Sequence, residues 1–118
     1  MPGLPSDERI LWAIAEVETG NRPHLRGRDG ELTQFQILPA TWRRYSRLAP
    51  WEARNRPDEA DRVAREHLRH IKEQLGRSGK PLTVFHIAAA WNAGPNRSRF
   101  SLETIDYAAR VANLVHGG

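Results

Sequence analysis

The chain predicts a mainly α-helical fold, with five to six helices around one central apolar helix and a single small β-hairpin. Three observations predict it. Apolar residues recur at helical spacing between capping residues along most of the chain; residues 84–91 are apolar nearly all round; and only residues 32–37 alternate with a period of two. The 118 residues fit one domain, 1–118, and can bury a core without the disulfides that a cysteine-free chain cannot form.

The first helix is expected to start after Ser6, an N-cap residue, with Asp7 and Glu8 in the turn where the helix dipole favours acids. Leu11, Ile14, Ala15 and Glu18 fall at i, i+3, i+4 and i+7, which sets one carboxylate on an otherwise apolar stripe. Gly20-Asn21 and Pro23 end the helix. Asp29-Gly30 is a tight-turn dipeptide, and beyond it Thr33, Phe35 and Ile37 alternate with Leu32, Gln34 and Gln36 as in a hairpin. Pro39 opens a second helix, to about Arg47, and residues 49–56 form a connection. Pro57 opens the longest helix, to about Leu75, with Ala60, Val63, Ala64, His67, Leu68, Ile71 and Leu75 on one stripe and Gly76 as its C-cap. Thr83 caps the apolar helix 84–91, in which His86 reads as a buried, hydrogen-bonded histidine; Asn92 to Pro95 end it. Ser101 caps a last helix with Ile105, Ala108, Val111, Ala112 and Val115 inward.

Composition narrows the function. Apolar residues make up 39% and charged residues 27%, a globular profile. The 18 Lys+Arg against 14 Asp+Glu give a net charge of +4, which suits a polyanionic partner. These cations are scattered, with Arg43-Arg44 the one adjacent pair, so a nucleic-acid patch is not expected. No apolar run approaches the ~18 residues of a membrane span. The N-terminus shows no basic and apolar leader; either a leader precedes the numbering or export follows a route such as phage lysis or injection. His67 and His70 share a helix face, but no acidic or cysteine partner stands at a metal-ligand spacing, so no metal is expected. Gly27 to Gly30 is no phosphate loop, because no Lys-Ser/Thr follows.

Glu18 is the candidate for chemistry. A carboxyl on a core-facing stripe is partly desolvated, which raises its pKa and lets it act as an acid near neutral pH. On this pattern alone the commoner reading is a half-exposed glutamate paired with an arginine. The rest of the chain changes that.

Four segments, in order, carry a resemblance that spans Ala13 to Val111: Ala13 to Gly20 (AIAEVETG), Gly30 to Thr41 (GELTQFQILPAT), Ala89 to Pro95 (AAWNAGP) and Asp106 to Val111 (DYAARV). The chain resembles the lytic transglycosylase (SLT-type) family, relatives of goose-type lysozyme. The resemblance implies a lysozyme-like fold and cleavage of peptidoglycan glycan strands in the periplasm or outer wall, by a monomer without a cofactor. It implies Glu18 as the sole acid/base. It implies Gln36 as a hydrogen-bonding cleft residue beside Leu38, and Thr19 and Trp91 at the substrate site. Asn92, Ala93 and Gly94 would form a turn that brings backbone close to the sugar, and Tyr107 would pack near the acid helix. In this family one carboxyl suffices: it protonates the glycosidic oxygen after N-acetylmuramic acid, then takes a proton from the C6 hydroxyl of that sugar, closing a 1,6-anhydro ring.

The sequence departs from the family pattern at four places. Thr19 replaces Ser with its hydroxyl kept; Trp91 stands where the family has Tyr, whose hydroxyl lies near the carboxyl; Thr33-Gln34 replace a Gly-Leu pair; and Gly27 falls where a cleft Ser is expected. Two other outcomes stay open. If Asp29 or Glu31 reaches the cleft, a hydrolytic lysozyme holding a water opposite Glu18 becomes the better reading. A glycan-binding module without turnover would keep the same fold.

Overall fold

The computed structural model describes residues 3–97 and 99–117. Five α-helices, α1 (Asp7–Thr19), α2 (Pro39–Tyr45), α3 (Pro57–Arg77), α4 (Val84–Ala93) and α5 (Leu102–Gly117), are joined by loops and by a 3-10 helix at Pro50–Asn55. The architecture is mainly α and lysozyme-like.

Local chemistry accounts for most boundaries. The Ser6 hydroxyl accepts the Arg9 N–H at 3.2 Å and starts α1. At its other end Gly20 adopts φ +66°, and the Asn21 N–H donates to Ala15 O at 3.0 Å, which closes the helix with a left-handed C-cap. Pro39 and Pro57 occupy first turns, where a missing N–H breaks no bond. The Thr83 hydroxyl accepts the His86 N–H at 3.1 Å, and the Ser101 hydroxyl accepts that of Thr104 at 3.1 Å. The Asp29-Gly30 turn is present, with Gly30 N–H donating to Gly27 O at 3.1 Å.

Helix α4 is central, packed against α5 and α3, while α1 also lies on both of those helices. Its Val84, Ile87, Ala88, Ala89 and Ala90 are buried, and the run of alanines lets neighbouring backbones approach closely. From α1 the core takes Ile10, Leu11, Ala13, Ile14 and Ala15; from α3 it takes Ala60, Val63, Ala64, Leu68, Ile71 and Leu75. Trp42 is fully buried in the core, and its indole N–H donates to Leu48 O at 2.9 Å.

Four expectations are corrected. The hairpin shrinks to one antiparallel bridge, Leu32 to Ile37. The four residues between them form a turn in which Thr33 and Gln36 take positive φ, so no ladder can propagate. Thr33, Phe35 and Ile37 are nevertheless the buried ones; the turn, not a pleat, sends them inward. Helix α3 runs past Gly76 to Arg77, and Gly79, at φ +67°, makes the left-handed exit instead. His86 is half-buried in the first turn of α4, its ring nitrogen 2.8 Å from the Thr83 hydroxyl. On α5, Ile105 is 41% exposed and Ala112 only partly covered, while Thr104 and Tyr107 are buried. Two polar side chains turn inward there because each finds a hydrogen-bond partner, which an apolar count cannot register.

Candidate active site

The C-terminal half of α1, the bridge-and-turn segment, α3 and the end of α4 surround a cleft of about 250 Å³ lined by Glu18, Asp29, Glu31, Gln36, Ile37, Leu38, Thr41, His67, Trp91 and Asn92. Glu18 is the penultimate residue of α1, and the αL cap at Gly20 turns the chain away two residues later, so its carboxyl faces the cleft rather than another helical turn.

Two opposed effects act on that carboxyl. Burial pushes its pKa up from 4.5 to about 7, and the negative charge of Glu31 adds to the rise; the Tyr107 hydroxyl, donating to Oε2 at 2.9 Å, works against it by favouring the carboxylate. A carboxyl poised near neutrality can both give and take a proton. Tyr107 itself is buried on α5, behind Glu18 rather than on the cleft wall, and burial next to Glu18 holds its phenol proton on.

The other site residues expected from the sequence separate into groups. Leu38 forms the cleft lip at 47% exposure. Gln36 is on the wall, but its amide Nε2 donates to Leu25 O at 2.9 Å and to Thr33 O at 3.0 Å. Its donors therefore hold the loop, and Oε1 is what it offers the cleft. Asn92 lines the cleft as well; its Oδ1 accepts from the Thr104 hydroxyl at 2.7 Å, which leaves the NH₂ to face outward. Ala93 and Gly94 do not line it. Asn92 and Ala93 are the last residues of α4 and Gly94 is its C-cap at φ +97°, so the expected turn is a helix end. Thr19 is absent from the wall too. It is buried, its hydroxyl lies 3.0 Å from Gln34 O and 3.2 Å from Ala15 O, and it accepts the Arg22 N–H at 3.0 Å. It ties the end of α1 to the turn. Trp91 lines the cleft, yet its indole donates to Phe35 O at 3.2 Å and not to Glu18. The hydroxyl that reaches the carboxyl is that of Tyr107.

Asp29 and Glu31 both line the cleft. A Glu31 oxygen accepts the Asp29 N–H at 2.7 Å. A Cβ at residue 27 would collide with Glu31 Oε1 and Gln36 Oε1, so Gly27 leaves room for these two side chains where a Ser was expected.

His67 and Thr41 on the wall were not anticipated as site residues. His67 packs edge-on to Trp91 at 4.8 Å between ring centroids, and burial, then the charges of His70 and Arg44, push its pKa down to about 4. It is neutral at physiological pH. The Tyr45 hydroxyl lies 3.1 Å from His67 Nδ1. Nε2, the other ring nitrogen, has no protein partner among the described residues and is not sealed from solvent. A histidine on the apolar stripe of α3 was the available signal; only the packing of α3 against α4 puts it beside Trp91.

A family model described as the transglycosylase SLT domain matches residues 4–110. No curated protein and no solved structure matches.

Proposed function

The chain belongs to the transglycosylase SLT domain family, peptidoglycan-directed glycosidases in general, and on that premise we propose that it cuts the MurNAc-GlcNAc β-1,4 bond with Glu18 as acid and then base. The observation that carries the proposal is the Glu18 carboxyl, buried to a pKa of about 7, bonded by Tyr107 and open to a polar cleft. Protonated Glu18 gives its proton to the glycosidic oxygen as the bond to the muramyl C1 breaks. The leaving sugar carries that proton away as a hydroxyl. The carboxylate left behind, stabilised by the Tyr107 hydroxyl, takes the proton of the C6 hydroxyl of the same muramyl residue as its oxygen closes on C1. Glu18 ends protonated, and no water is consumed. Holding the C6 hydroxyl against C1 replaces a second protein group by proximity.

Hydrolysis is the second reading, and Asp29 and Glu31 on the cleft wall are what favour it. Either carboxylate would hold a water opposite Glu18. Glu31 is already engaged by the Asp29 N–H of its own turn, and this, with the family membership, puts transglycosylation first. Purified sacculi digested with the protein and resolved by mass spectrometry separate the two. The expected products are 1,6-anhydro muropeptides, lighter by one water than hydrolytic ones; reducing-end products would instead establish the hydrolase. Solubilisation by the native chain and not by Glu18→Gln is expected in either case. Binding without solubilisation by either protein would leave a glycan-binding module.

A further inference from the structure

We infer that a second groove, on the far side of Glu31 from Glu18, is a binding subsite for a remote, carboxylate-bearing stretch of the glycan strand that occupies the cleft. The groove encloses about 250 Å³ between residues 23–26, residues 31–33 and the 3-10 helix, with Leu25, Arg26, Trp51 and Arg54 on its walls. Glu31 lines both this groove and the Glu18 cleft, so the two are neighbours across one side chain. A polymer that leaves the cleft past Glu31 would enter this groove, which Trp51 lines.

Trp51 is 70% exposed, the most exposed Trp, Tyr or Phe side chain among the described residues. It is held on a rigid element. Glu52 Oε2 accepts the Ala49 N–H at 2.7 Å at the start of the 3-10 helix, and Ala53 anchors that helix in the core. The opposite wall is fixed by the Gln36 amide on Leu25 O. An exposed indole on a fixed support offers a flat apolar face with a polar edge, which matches the apolar face of a pyranose ring. The cations beside it are uncommitted. Arginines 56, 62, 65 and 69 enter ion pairs, whereas among the described residues Arg26 and Arg54 enter none. Two unpaired guanidinium groups flanking an aromatic platform suit a ligand that carries both a sugar face and a carboxylate. Peptidoglycan supplies the carboxylate from its stem peptide, or, where the peptide has been removed, from the muramyl lactyl group that carried it. Binding remote from the scissile bond can hold the strand in place for Glu18.

The inference rests on a glycan occupying the Glu18 cleft, and the test separates the two. Glu18→Gln protein, which retains the cleft, is titrated calorimetrically with soluble peptidoglycan strands bearing stem peptides and with the same strands stripped of peptides by an amidase. Adding Trp51→Ala is expected to weaken binding of both by about tenfold, and adding Arg26→Ala with Arg54→Ala to weaken binding of the peptide-bearing strands by a similar factor. Equal loss on stripped strands would show that the arginines also take the lactyl carboxylate that the amidase frees. Unchanged affinity in both variants, with melting curves showing them folded, overturns the subsite while leaving the cleft assignment intact. No binding by the Glu18→Gln parent overturns both.

Discussion

Replacing Glu18 by Gln should abolish cleavage and at the same time stabilise the protein above neutral pH. The free energy follows from the same burial that makes the residue an acid. In the unfolded chain Glu18 titrates near 4.5, and in the folded chain near 7. Between those values the native state keeps a proton that the unfolded state has released, so stability falls as pH rises through that window. The difference of about 2.5 units, at about 1.4 kcal/mol each, sets a ceiling of roughly 3 kcal/mol, and residual solvent at the cleft side lowers it to about 2 kcal/mol. Gln is neutral throughout and still accepts from Tyr107. Urea unfolding of both proteins at pH 4 and pH 8 measures the effect. Near-equal stability at pH 4 and an advantage of about 2 kcal/mol for Glu18→Gln at pH 8 are expected. A difference independent of pH, or a variant less stable at pH 8, would refute a protonated, buried Glu18.

Three further outcomes follow from the cleft. Tyr107→Phe removes the hydroxyl that favours the carboxylate, so the Glu18 pKa should rise by about one unit; the basic limb of the kcat/KM profile on soluble glycan strands should move up in pH, and a downward move would contradict the hydrogen-bond assignment. His67→Phe keeps an aromatic ring against Trp91 and deletes the polar ring nitrogens, so KM should rise several-fold with kcat nearly unchanged; an unchanged KM would show that the imidazole does not meet the sugar. Gly27→Ala drives a methyl group into Glu31 and Gln36; displacing the Glu31 charge should lower the Glu18 pKa, read as an acid shift of the same limb, with reduced turnover.

Much of the fold was legible in the sequence because its signals are local. A hydroxyl at Ser6, Thr83 and Ser101 meets N–H groups three residues on, and a proline in a first turn breaks nothing, so helix starts can be read without knowing what the helix packs against. The apolar stripe of α3 and the all-round apolar α4 likewise announced which faces are buried. The inward stripe of α5 was harder. It includes Thr104 and Tyr107, whose burial depends on Asn92 and Glu18, partners that only folding supplies.

The site divides along the same line. Glu18 stood out because a carboxylate on a core-facing stripe is conspicuous along one helix, and the ordered segments around it pointed to the family. What only the tertiary structure decided is which groups surround that carboxyl. The donor to it is Tyr107, eighty-nine positions away in the chain, while the Trp91 indole is committed to Phe35 O. Glu31 reaches the cleft because Gly27 has no side chain to block it, and His67 enters from α3. Caps and amphipathic faces arise from neighbours a few bonds apart, which a sequence records directly. The proton affinity of Glu18 is set by burial, one phenol and one distant charge, and these act through space, between residues that the chain order leaves far apart.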